Sequence, residues 1–342
     1  MKNWKMMLSV LFLGIAGVLF LNVKEKSVAE ERQPKQALRI GVSLYRGDDE
    51  FISSVSHALE EESKQQEERL SQKIRLKIVD GKNSQTIQNT QIEEFIRQDY
   101  DVIAVNIVDR TMASSLIYKA KQANIPIIFF NREPIQTDLM QWNQAYYVGS
   151  KAQESGEMEG EIIWQTFKEN PASLDLNQDG KLQYVMLEGE EVHQDSLIRT
   201  EASIQEIVDK GIKVERLARG VGNWMRQPAK EFLNEWLVKY PNQIEVVISN
   251  NDEMALGAIE AIREAKLKQK PKVVGIDGIK EGLEAVNQGE MLGTILNDYQ
   301  AYAEGLLTIA YATSKGHRID SYLPDYANQY LWVKHQIYLG EK

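Results

Sequence analysis

Hydrophobic and polar positions in this chain alternate between two periods. Short apolar runs rich in β-branched residues are separated by longer stretches whose apolar positions recur at helical spacing. The first run, Ala37-Leu38-Arg39-Ile40-Gly41-Val42-Ser43-Leu44, reads as a buried strand. It breaks into Tyr45-Arg46-Gly47-Asp48-Asp49-Glu50-Phe51, and a helical pattern follows to about residue 70. Further strands are expected at 74–79, 102–106, 125–130 and 145–148, with helices at 84–97, 113–123 and 154–167. The rhythm then resumes. Strands at 184–187, 213–217, 244–249, 273–276, 292–296 and 329–333 alternate with helices at 196–210, 228–240, 252–265, 279–288 and 299–314.

Strands alternating with helices of this length form parallel sheets with right-handed crossovers. There are too many strands for one compact sheet, and the two halves of the pattern are alike. The expected fold is therefore α/β, with two doubly wound parallel-sheet lobes. Ligands of such sheets sit beyond the carboxyl ends of the strands, so function is sought in the residues that follow each strand. These are Asp48, Asp49 and Phe51, then Asn131, Arg132 and Glu133, then His193, Asp195 and Arg199. Trp224, Asn250, Asn251, Asp252, Asp277, Asn297 and Asp298 complete the set.

That inventory suits a hexose. Each sugar hydroxyl both donates and accepts, and is satisfied by a carboxylate acceptor paired with an amide, imidazole or guanidinium donor. The apolar C–H faces of the ring stack on aromatic planes, a task that fits Phe51 and Trp224. Taken singly, each residue has a structural use as well. Asp252 and Asp298 stand where helix N-caps are needed, and a lone tryptophan is more often packing. The joint appearance of the set at strand ends of both lobes favours binding.

Composition narrows the alternatives. A net charge of −10 argues against a nucleic-acid surface, which needs a clustered basic patch. The absence of cysteine excludes disulfides, thiolate metal sites, cysteine nucleophiles and a lipid-modified N-terminal cysteine. No phosphate-binding glycine loop, dinucleotide fingerprint or nucleophile elbow is present. A glycoside hydrolase would need two carboxylates flanking a glycosidic bond; a site that bonds every hydroxyl suits retention better. At the N-terminus, Lys2 and Lys5 precede the uncharged run 6–23, an export signal. Residues 1–35 are read as signal or anchor segment plus linker, with Ser27-Val28-Ala29 as a poor cleavage site and an uncleaved membrane anchor preferred.

The stretch Asp175-Leu176-Asn177-Gln178-Asp179-Gly180-Lys181-Leu182-Gln183 carries a second chemistry. Oxygen-bearing side chains at positions one, three, five and nine, a backbone carbonyl from Lys181 at seven and glycine at six match a calcium loop. Position twelve, which should supply a bidentate glutamate, is Met186. A Ca²⁺ site here needs a carboxylate from elsewhere in the fold, and the plain alternative is a metal-free Asn/Asp/Gly turn.

From about Arg39 to Val333 the chain resembles the periplasmic galactose/glucose-binding proteins, receptors of methyl-galactoside uptake. The resemblance is carried by Tyr45-Arg46-Gly47-Asp48-Asp49-Glu50-Phe51, Phe129-Phe130-Asn131-Arg132-Glu133-Pro134, Ala145-Tyr146-Tyr147-Val148-Gly149 and the 175–183 loop. Gly189-Glu190-Glu191-Val192-His193-Gln194-Asp195 with Arg199-Thr200, Ile244-Glu245-Val246-Val247-Ile248-Ser249-Asn250-Asn251-Asp252, Gly275-Ile276-Asp277 and Gly293-Thr294-Ile295-Leu296-Asn297-Asp298 extend it. It implies a type I periplasmic-binding fold with a three-crossing hinge near Ser150, Asn297 and Lys334. The lobes would be 36–149 plus 297–333 and 150–296 plus 334–342. It implies D-galactose or D-glucose contacts from Asp49, Asn131, His193, Asp195, Arg199, Asn251, Asp277 and Asn297, with Phe51 and Trp224 on either side of the ring. It also implies Glu245 as the distant carboxylate of a structural Ca²⁺ held by Asp175, Asn177, Asp179, Lys181 and Gln183. Arg132 stands where the family has a lysine. The expected protein is a monomeric, exported receptor, not an enzyme, whose membrane partner is an ABC sugar permease or, alternatively, a sensor kinase.

Overall fold

The computed structural model describes residues 37–341; the segment expected as signal or anchor lies outside them. Each sheet has six strands. In the first, β1 (Ala37–Leu44), β2 (Lys73–Asp80), β3 (Val102–Val105), β4 (Ile127–Phe130), β5 (Ala145–Gly149) and β11 (Tyr330–Trp332) run in the order β11-β5-β4-β3-β1-β2, all parallel. In the second, β6 (Leu182–Glu188), β7 (Val214–Val221), β8 (Val246–Ser249), β9 (Lys272–Asp277), β10 (Gly293–Asn297) and β12 (His335–Tyr338) run in the order β12-β10-β9-β8-β6-β7. Only β12 is antiparallel to its neighbour among these pairs.

The crossovers are helical. Around the first sheet lie α1 (Glu50–Leu70), α2 (Gln85–Arg97), α3 (Ala113–Ala123) and the single turn α4 (Gln136–Leu139). Around the second lie α5 (Ala152–Glu169), α6 (Gln194–Asp209), α7 (Arg226–Lys239), α8 (Asp252–Ala265) and α9 (Lys280–Asn287). With helices on both faces, central strands are apolar throughout, as parallel sheets require; every residue of β3 and β4 is buried. Each sheet accordingly separates two apolar clusters.

Three crossings join the lobes. The chain leaves the first sheet after Gly149, returns after Asn297 and leaves again after Val333. α10 (Tyr299–Ser314) follows a strand of the second sheet but buries Leu306, Leu307 and Ile309 in the core of the first. The crossings are tied to one another: Val333 donates its N–H to the Gly149 carbonyl (2.8 Å), and the Ser150 hydroxyl donates to Asn297 Oδ1 (3.0 Å). Strand β12 was not legible in the sequence. It is a short edge strand whose burial falls off along its length, and pairing with β10 creates it.

Candidate functional site

The carboxyl ends of the two sheets face one cleft. Asp49, Phe51, Asn131, His193, Asp195, Arg199, Trp224, Asn251 and Asp277 all line it. Asn297 does not. It stands at the hinge behind the wall, accepting from Ser150, with its Nδ2 buried and unpartnered. Tyr45, Ile52 and Arg132 also line the cleft. Arg132 is one of the residues expected past its strand; Tyr45 is the first residue past β1, so position could have found it, and Ile52 gives no such signal.

Several wall residues are also helix caps. Asp49 caps α1 through Oδ1, which accepts from Ile52 N (3.0 Å), while Oδ2 accepts from the Tyr45 hydroxyl (2.5 Å). Burial and the Asp49 carboxylate push the Tyr45 phenol far above its ordinary range. Asn251 caps α8, its Oδ1 accepting from Met254 N (3.0 Å) and its Nδ2 donating to the Trp224 carbonyl (3.3 Å). His193 caps α6, with Nδ1 accepting from Asp195 N (3.1 Å). That bond fixes the tautomer: the proton is on Nε2, a donor. Burial, reinforced by Arg132, Arg199 and Arg110, holds the imidazole pKa well below its usual value, so the ring is neutral.

Asn131 follows β4 with φ of 59°, a left-handed position asparagine tolerates. Tyr147 donates to its carbonyl (2.8 Å), and Asn106 Nδ2 donates to its Oδ1 (3.1 Å). With the amide oxygen engaged, Asn131 Nδ2 remains as a donor. Arg199 donates Nη1–H to the Asn250 carbonyl (2.9 Å) and lies 3.8 Å from Asp277 Oδ1. Burial raises the carboxyls of Asp195 and Asp277, with Arg199 opposing both shifts. Trp224 owes its place to Gly189, where a Cβ would come within 2.1 Å of the indole. The His193 ring meets that indole edge-on at 5.3 Å. On the other side Phe51 is braced edge-on by Tyr302 at 5.7 Å.

Asp252 and Asp298 divide the alternatives raised by their positions. Asp298 is a cap, accepting from Ala301 N (3.0 Å). Asp252 is neither cap nor wall: it is fully buried and accepts from Gly278 N (2.8 Å), Ile279 N (3.1 Å) and Thr294 Oγ1 (2.7 Å), tying α8 to β9 and β10. Burial pushes its carboxyl up to about 7 against the pull of those donors.

Across the cleft the lobes touch. Arg132 stacks 3.6 Å above the Tyr45 ring, donates to the Val108 carbonyl (3.2 Å) and reaches Glu190 Oε2 of the second lobe (2.8 Å). Gln194 donates to Glu133 Oε2 (3.0 Å). The cleft is closed.

The 175–183 loop curls as its spacing predicts. Asp175 Oδ1 and Oδ2 accept from Asp179 N and Gly180 N, and Gly180 has φ of 79°. Glu245 comes to it from the start of the neighbouring strand segment, accepting from Leu176 N (2.6 Å), Asn177 N (3.2 Å) and Gln183 N (2.9 Å). The available donors are carboxylate, amide and carbonyl oxygens, the chemistry Ca²⁺ takes. Among the described residues no three His, Cys, Asp or Glu side chains converge on a metal position. A cation here therefore depends on Asn177, Gln183 and the Lys181 carbonyl to complete its shell.

Two sheet lobes closing on a polar, aromatic-walled cleft define a hinged solute-binding protein. The chain belongs to the periplasmic binding protein family, whose domain model matches residues 40–318; it is a binding protein and not an enzyme. It is similar to the D-galactose/methyl-galactoside binding periplasmic protein MglB of Haemophilus influenzae, with 42% identity over 261 residues, 76% of each chain. A putative rhizopine-binding protein of Rhizobium meliloti is 29% identical over 83% of this chain and 88% of its own. Among solved structures, an ABC transporter solute binding protein from Bacillus halodurans with bound myo-inositol superposes with a TM-score of 0.73 at 27% identity, covering 89% of this chain and 96% of that one. Among the described residues no helix is long and apolar enough to cross a membrane.

Proposed function

We propose that the protein is an extracytoplasmic receptor that encloses D-galactose or D-glucose between its lobes and delivers it to an ABC sugar permease. The observation that carries this reading is the convergence of acceptors and donors on one cleft. Asp49, Asp195 and Asp277 accept, Asn131, His193, Arg199 and Asn251 donate, and Phe51 and Trp224 supply apolar faces. A hydroxyl placed wrongly in such a site leaves a buried charge unpaired, which is the physical basis for rejecting other solutes. Similarity to a galactose/methyl-galactoside binding protein supports the choice of sugar. Isothermal titration should show one-to-one heat release with D-galactose or D-glucose; no heat with either defeats the proposal.

The same reading extends to Ca²⁺ in the 175–183 loop. Asp175, Asn177, Asp179, the Lys181 carbonyl, Gln183 and Glu245 would hold it, as a structural staple of the second lobe. Support comes from the loop's curl and from the arrival of Glu245 at its backbone amides.

A further inference from the structure

Each lobe holds a buried asparagine at the same place in its sheet. Asn106 is the first residue past β3, and Asn250 is the first past β8. β3 lies between β1 and β4, as β8 lies between β6 and β9. Both residues are fully buried, and their bonds to the neighbouring strand correspond atom for atom. Asn106 N donates to the Ser43 carbonyl (2.9 Å), while its Oδ1 accepts from Tyr45 N (3.4 Å). Asn250 N donates to the Leu187 carbonyl (3.0 Å), while its Oδ1 accepts from Gly189 N (3.1 Å). Tyr45 and Gly189 are in turn the first residues past β1 and β6. The two clasps differ in what the side-chain N–H groups reach. Asn250 Nδ2 donates to Thr200 Oγ1 (3.1 Å), which is no part of the cleft wall. Asn106 Nδ2 donates to the Phe130 carbonyl (3.2 Å) and to Oδ1 of Asn131 (3.1 Å), a wall residue.

The oxygen and nitrogen of an amide are alike in shape, so its direction is set by neighbours of fixed polarity. Asn106 lies between two of them: the Tyr45 N–H requires its oxygen, and the Phe130 carbonyl requires its nitrogen. Gln88 Nε2 holds the Asn106 carbonyl (2.9 Å), so the clasp itself is anchored. The second N–H of Asn106 then takes Asn131 Oδ1, and Asn131 is left to present Nδ2 to a ligand. We propose that Asn106 is a positioning residue for Asn131: it passes the backbone polarity of two strand ends to the wall, makes that point a donor and obliges the hydroxyl it meets to accept. This rests on the sugar-receptor reading above, because the direction of Asn131 matters only to a bound ligand. A hydroxyl that accepts from Asn131 keeps its own proton for a carboxylate of the wall. Without Asn106 nothing else fixes that amide, since Tyr147 bonds only the Asn131 backbone carbonyl. Its oxygen then competes with the carboxylates for the same proton.

The test is a double-mutant cycle on sugar affinity with Asn106→Ala, Asn131→Ala and the double variant. N106A should raise the Kd for D-galactose or D-glucose by about threefold or more in the parent, and by less than half of that factor on a logarithmic scale once Asn131 is gone. The equivalent clasp in the other lobe separates positioning from mere support: Asn250→Ala should change the Kd by the same factor with and without Asn131. An N106A effect below about twofold, or one equally large in both backgrounds, overturns the proposal. A second measurement needs neither sugar nor N106A, and decides the matter if that variant does not fold. The side-chain N–H protons of Asn106, followed by NMR in the sugar-free protein, should exchange with solvent about tenfold or more faster in N131A than in the parent, with those of Asn250 unchanged. Equal exchange at Asn106 overturns the proposal. A parent that binds neither sugar defeats the receptor reading instead, and the exchange rates alone then show whether Asn106 holds Asn131.

Discussion

Glu190→Gln isolates closure from sugar contact, because Glu190 meets Arg132 across the cleft without lining it. The pair is 2.8 Å long, with side-chain exposures of 8% and 12%, so it is largely withdrawn from water. In an opened cleft the two groups lie on separate lobes and are hydrated independently, so the interaction counts only in the closed state. Truncating one partner of a buried charge pair costs about 2–5 kcal/mol. Glutamine still accepts a hydrogen bond, and Arg132 keeps its Val108 bond and its seat on Tyr45, which places the loss near the lower end. About 2 kcal/mol corresponds to roughly a thirtyfold rise in Kd. Stopped-flow measurement should place most of it in faster sugar release. The melting temperature of the sugar-free protein should change little. A Kd within twofold of the parent, or an equal loss of melting temperature with and without sugar, would refute a closing role for this pair.

Three further outcomes are expected. Trp224→Ala should weaken sugar binding by about 1–3 kcal/mol, roughly five- to a hundred-and-fiftyfold, while thermal unfolding stays cooperative; unchanged affinity returns the indole to a packing role. Chelation should lower the melting temperature by several degrees with sugar heat retained, since a cation at a thousandfold excess over its Kd stabilises by about 4 kcal/mol. An unchanged melting curve makes the 175–183 loop a plain turn. Asp252→Asn turns one acceptor into a donor facing Gly278 N or Thr294 and should destabilise by about 1–3 kcal/mol in urea unfolding; a shift under 0.5 kcal/mol removes the claim that Asp252 ties α8 to the sheet.

The architecture was legible because both sheets are fully covered, so their strands read as unbroken apolar runs and their helices as one-sided patterns. Strand β12 escaped for the opposite reason: an edge strand on a crossing has no apolar face to announce it. Within the cleft, Asp49, His193 and Asn251 are caps and wall residues at once. One atom of each caps a helix and the side chain still lines the cavity. Asp298 is only a cap, and nothing in its spacing separates it from Asp49. Asn106 was invisible as a support for Asn131 because its role lies in a bond to a side chain 25 residues away.

Glu245 has a consequence for the order in which the second lobe assembles. Its carboxylate is bonded to amides 62–69 residues earlier in the chain, and β8 lies directly beside β6 with β7 outside. The loop cannot take its final form when its own residues are made; it must wait until the β7 unit has been passed and β8 has docked on the other edge of β6. Protection of the Leu176, Asn177 and Gln183 amides against hydrogen exchange during refolding should therefore appear together with that of β8, making the loop a clock for the docking of β8 on β6.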